Sequence, residues 1–136
     1  NRFNDPEASV EELSSIIEHR EEKLKNHFGY FEAPFPDFML NTLGYMSMDM
    51  NQPKKALMYF DYNVAYYPEK ANSYDSLADY YEAQGEMDKA LENVKKAYAI
   101  SGSDYHAKRV EKLSSKYLTI LYTTLQTLFK TVQNYI

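Results

Sequence analysis

The sequence predicts an all-α chain, an antiparallel solenoid of helical hairpins with about seven helices, and three observations predict it. Apolar residues recur at helical spacing in one segment after another. A shift of 34 residues superposes one helical segment on an earlier one. Small residues stand where the paired helices would cross, which lets the backbones approach and the larger neighbours interdigitate.

The clearest segment runs from Asn72 to Ser101. Tyr74, Leu77, Ala78 and Tyr81 share one face of its first helix, and Ala90, Leu91, Val94, Ala97 and Tyr98 share one face of its second. Gly85 breaks the run between them. Moved by 34 residues, Leu43 overlies Leu77, Gly44 overlies Ala78, Lys55-Ala56-Leu57 overlies Lys89-Ala90-Leu91, and Phe60 overlies Val94. Pro68 closes the earlier copy and Gly102 the later one. The period and the pattern of large and small residues at Leu77, Ala78, Tyr81, Ala90 and Ala97 resemble the tetratricopeptide repeat. Leu43, Leu57, Phe60, Leu77, Leu91 and Val94 are the expected core, each burial worth about 1.5–3 kcal/mol.

The whole chain of 136 residues reads as a single domain: an N-terminal helix over 5–29, repeat one over 37–68, repeat two over 71–102 and C-terminal capping helices over 104–136. Asp5-Pro6-Glu7 and Ser9-x-x-Glu12 predict the first helix start through an acidic first turn and a capping box. Leu13, Ile16, Ile17, Arg20, Leu24 and Phe28 form its inner stripe. Glu11, Glu18, Glu21, Glu22 and Lys25 form a solvated face, and Gly29 ends the helix. Pro34 and Pro36 predict an extended connector with Asp37 capping the next helix. Asn51-Gln52 predicts a turn, and Pro53 suits the first turn of the helix that follows.

Ser101-Gly102-Ser103-Asp104 predicts another turn with a cap, and Tyr105 to about Tyr117 another helix. Leu118, Leu121, Tyr122, Leu125, Leu128, Phe129, Val132 and Ile136 then make a continuous apolar stripe. Polar residues on the other side favour burial against protein over insertion in lipid. If the chain turns back near Ser114-Ser115-Lys116, this stripe caps the second repeat within its own chain, the reading the serines favour. If the helix runs straight on, the stripe meets a partner, and a symmetric homodimer is the simplest solution.

Composition bounds the function. The formal charge of −5 argues against nucleic acid, and the absence of cysteine excludes disulfides and thiolate metal sites. The charge is uneven: residues 105–136 carry 5 Lys/Arg against 1 Asp/Glu, whereas residues 31–104 carry 6 against 12. No G-x-S-x-G elbow, Gly-rich phosphate loop or H-E-x-x-H pair occurs, so the segment reads as non-catalytic, with no cofactor and no metal site. His19 beside Glu18 and Glu22 reads as hydrated surface charge. Asp75, Ser76 and His106 are the residue types of a hydrolytic triad, but adjacent helical positions face different ways. The chain starts at Asn1 without a signal region, so a fragment or processed form is expected and the compartment is unassigned.

A more specific string, Asn63-x-x-Tyr66-Tyr67-Pro68-x-x-Ala71-Asn72-x-Tyr74-Asp75-Ser76-Leu77-Ala78, with Phe28-Gly29-Tyr30 and Asn41-x-x-Gly44-Tyr45 upstream, is similar to the C-terminal extensions of bacterial α/β-hydrolases of the siderophore-esterase type. The likeness covers roughly residues 5–113; the chain departs from it at Ala33-Pro34-Phe35-Pro36-Asp37 and over its last twenty residues. It implies a protein-interaction module accessory to an upstream hydrolase domain, which would hold the catalytic residues; the alternative is a stand-alone adaptor that binds a peptide or partner protein. The repeat resemblance places Phe38, Asn41, Tyr45, Met48, Asn72, Asp75, Asp79 and Glu82 on a concave binding surface. That surface is acidic, so it suits a basic or neutral peptide, or is filled by the terminal helix or the hydrolase domain.

Overall fold

Six α-helices run through residues 2–135, which the computed structural model describes: α1 (Val10–Phe28), α2 (Asp37–Asp49), α3 (Pro53–Tyr66), α4 (Ala71–Ala83), α5 (Met87–Ser101) and α6 (Asp104–Gln133). A single 3-10 turn, Arg2–Asn4, precedes them. The architecture is all-α, with α2 packed on α3 and α4 on α5 as hairpins, and with α1 and α6 at the two ends.

The first helix begins at Val10, later than the acidic cluster suggested, and Asp5–Glu7 instead forms a turn in which the Asp5 carboxylate accepts from the Glu7 N–H at 2.9 Å. Ser9 caps α1, its hydroxyl oxygen accepting from the Glu12 N–H at 3.1 Å. The capping box is half formed, because the Glu12 carboxylate turns outward to accept from Arg2 at 2.7 and 2.6 Å. Gly29 ends the helix with φ of 75°, a left-handed conformation that would strain a side chain.

Leu13 and Ile17 of α1 are buried with Leu40, Leu43, Met58 and Tyr59. The charged face of α1 is less uniformly solvated than its sequence suggested: the Tyr62 hydroxyl donates to Glu18 at 3.2 Å and the Tyr66 hydroxyl to Glu21 at 2.8 Å. Arg20 lies over the Phe35 ring at 4.8 Å from its centroid. Pro36, not Asp37, is the cap of α2. Asp37 occupies the first turn and accepts from Lys70 at 2.7 Å, an interaction that holds its carboxyl below the usual range.

The helix crossings match the small-residue pattern. A Cβ on Gly44 would lie 2.5 Å from the Phe60 ring, which itself is buried between Tyr45 and Tyr80. Ala78 and Ala90 are fully buried in the same core layer as Val94 and Leu113. Leu43, Phe60, Leu77 and Val94 are buried, but Leu57 and Leu91 are half-exposed. Both sit on the second helix of a hairpin, and Leu57 borders a shallow open groove with Met58, Tyr62 and Ala65.

The C-terminal region overturns the favoured expectation. It is one helix of 30 residues that continues through Ser114 and Ser115, so the chain has six α-helices where about seven were expected. Serine costs a helix only about 0.5 kcal/mol relative to alanine and, without glycine or proline beside it, does not turn the chain back. The first half of α6 buries His106 and Leu113 against the second hairpin. The second half covers nothing: Leu118, Tyr122, Leu125 and Phe129 are each 64% exposed. Intramolecular capping by the 118–135 stripe is therefore not observed, and Ile136 lies outside the described residues.

Candidate interaction surface

The first helices of successive hairpins are α2 and α4, and α6 takes the third such position. Their starts at Asp37, Ala71 and Asp104 lie 34 and then 33 residues apart. Side chains one period apart therefore meet across adjacent helices. The Tyr45 hydroxyl donates to Asp79 at 2.6 Å, Arg109 Nη1 donates to Asp75 at 2.8 Å, and Lys116 donates to Glu82, each pair being separated by 34 residues.

Arg109 is the centre of this network. Its second nitrogen, Nη2, meets Asp79 at 2.7 Å and Glu82 at 3.5 Å, so one guanidinium serves three carboxylates of α4. Tyr105 donates to Asp75 at 3.3 Å, and His106 Nε2 stands 3.8 Å from the same carboxylate. Burial pushes the Asp75 carboxyl up, while Arg109 opposes that shift. Burial also raises the Tyr45 phenol, and its hydrogen bond to Asp79 adds to the effect. The Glu82 carboxyl is held low, chiefly by the hydrogen bond from Lys116. Burial disfavours the Arg109 cation, yet Asp79 and Asp75 outweigh it and keep the group firmly charged.

Four of the eight concave-surface residues, Tyr45, Asp75, Asp79 and Glu82, thus come together, and the partner that meets the three acids is the chain's own terminal helix. Phe38 and Asn72 remain exposed, while Asn41 and Met48 are half-buried. A cleft of about 330 Å³ survives between Asp79, Glu82, Tyr105, Arg109, Lys112 and Leu113, with walls of both signs. The acidic face that the sequence offered to a basic peptide is neutralised from within. Sequence reasoning missed Arg109 and Lys116 as its partners, although the same 34-residue shift, applied once more to Asp75 and Glu82, lands on them.

The hydrolytic residue types have a different employment. His106 Nδ1 faces the hydroxyls of Ser101 at 2.6 Å and Ser103 at 2.9 Å, not that of Ser76. Ser103 caps α6 by accepting from the His106 N–H at 3.3 Å, so the cluster fastens the turn between α5 and α6. Among the described residues, no group of three His, Cys, Asp or Glu could hold a metal ion, and no helix is long and apolar enough to cross a membrane. His19 is exposed.

Compared with protein-family models, with curated proteins and with solved structures, the chain matches none.

Proposed function

We propose that this chain is a non-catalytic protein-interaction module of the tetratricopeptide type, accessory to an upstream esterase-like hydrolase that it positions against a partner. The observation that carries the repeat reading is the 34-residue spacing of the Tyr45–Asp79, Asp75–Arg109 and Glu82–Lys116 contacts, the same period that superposes the two sequence copies. The accessory reading rests on the Asn63–Ala78 string and its likeness to hydrolase extensions.

The exposed half of α6 favours the second reading, a stand-alone adaptor, because a protruding apolar helix can recruit a partner without an enzyme attached. Reading the gene upstream of Asn1 separates the two. A hydrolase domain with a G-x-S-x-G elbow is expected there; its absence overturns the accessory reading and leaves the adaptor. The purified chain should hydrolyse p-nitrophenyl acetate no faster than buffer, and saturable turnover would overturn both.

A further inference from the structure

We infer that the second half of α6 is a self-association seam, and that two copies of this chain pair through it as an antiparallel coiled coil. The inference holds whether or not a hydrolase precedes the module. Leu118, Leu121, Leu125, Leu128, Val132 and Tyr135 follow one another at spacings of 3, 4, 3, 4 and 3. That is the alternation that keeps a stripe facing one neighbour when helices supercoil. These six residues are 41–88% exposed, on a helix whose first half is already seated against the body.

The area suits a second copy. With Tyr122 and Phe129 beside it, the seam holds eight large side chains at about 100 Å² of free surface each, on the order of 800 Å² per chain, the size of a standard stable interface. The chemistry suits one too, since Lys130 is the only charge between Tyr117 and Tyr135 and no like-charge pair opposes self-pairing. Thr119, Thr123, Thr124, Thr127 and Thr131 each donate to the carbonyl four residues back, so their hydroxyls need no outside partner and can flank an apolar contact. A helix that lies on a lipid surface carries a lysine- and arginine-rich polar face, which this one lacks.

Orientation follows from the body. It sits against the first half of α6, so a parallel pair would bring two bodies to the same end, whereas an antiparallel pair sends them to opposite ends and opposes the helix dipoles. In the antiparallel register Leu118 faces Tyr135, Leu121 faces Val132 and Leu125 faces Leu128 of the second copy, and every member of the seam is used twice by symmetry.

Sedimentation equilibrium of the intact chain is expected to give twice the 15.9 kDa chain mass. Leu125→Glu with Leu128→Glu should weaken association at least about a hundredfold, because carboxylates would be buried unpaired, while the far-UV spectrum stays helical. The chain has no cysteine, so Leu121→Cys with Val132→Cys should oxidise to a covalent dimer and Leu121→Cys alone should not. A cross-link formed by Leu121→Cys alone would overturn the antiparallel register. A monomer at every concentration, a larger oligomer, or a monomer that co-sediments with phosphatidylcholine vesicles would overturn the inference.

Discussion

Arg109 of α6 reaches back 34 residues to Asp75 of α4, donating to its carboxylate at 2.8 Å with both side chains more than four-fifths buried. Removing one partner of a buried ion pair strands the other, which costs about 3–5 kcal/mol, more than the pair itself contributes. Arg109→Met should therefore destabilise the fold by about 3 kcal/mol in chemical denaturation, and adding Asp75→Asn should recover part of the loss. Equal stability of Arg109→Met and the parent would show that α6 is not seated on α4.

The Glu82–Lys116 pair makes stability depend on acid. Lys116 holds the folded Glu82 carboxyl below its ordinary value of 4.5. A carboxyl lowered by folding contributes stability above its unfolded pKa, and that contribution is lost as pH falls through the folded value. Thermal melts between neutrality and strong acid should fall less steeply for Lys116→Met than for the parent, the difference opening near pH 4.5 and below. Parallel curves for the two proteins would remove Lys116 from the account.

Gly44 is a test of the crossing between α2 and α3. In an open helix, replacing glycine would be favourable by up to about 1 kcal/mol. Here the first added carbon meets the Phe60 ring at 2.5 Å, and the ring is held between two tyrosines. Gly44→Leu should lower stability by about 1–3 kcal/mol, as should Ala90→Leu at the second crossing. Melting temperatures unchanged from the parent would mean that the helices pair differently.

Ser103→Ala removes the cap of α6 and one of the two hydroxyls that face His106. A loss of about 1 kcal/mol is expected, with no change in the mass of the particle. A change in mass instead would tie this turn to association.

Much of the fold was legible because its signals are local. Gly29 and Gly102 mark the ends of α1 and α5, Pro53 starts α3, and Gly44 and Ala90 mark the crossings. Contacts between helices were harder to read. Glu18 and Glu21 look like solvated charge on a helical wheel, yet tyrosines from α3 reach them. Leu57 and Leu91 look like core, yet no further layer covers them. The path of α6 turned on Ser114 and Ser115, whose weak helix propensity left both courses open; the ion pairs of Arg109 and Lys116 seat the helix before those serines, and nothing beyond them pulls it back. At the candidate surface, the acidic character of Asp75, Asp79 and Glu82 was plain in the sequence, but what neutralises it lay one period downstream, where the apolar pattern of the repeat had faded.

One helix thus has two roles: residues 106–117 close the acidic face of the body, and residues 118–133 remain for a second copy. Native-state hydrogen exchange at several protein concentrations reads both halves at once. Amides of 106–117 should be as protected as those of α4 and α5 at every concentration, while those of 118–133 should gain protection as concentration rises. Unprotected amides in 106–117, or a second half whose exchange ignores concentration, would contradict the account.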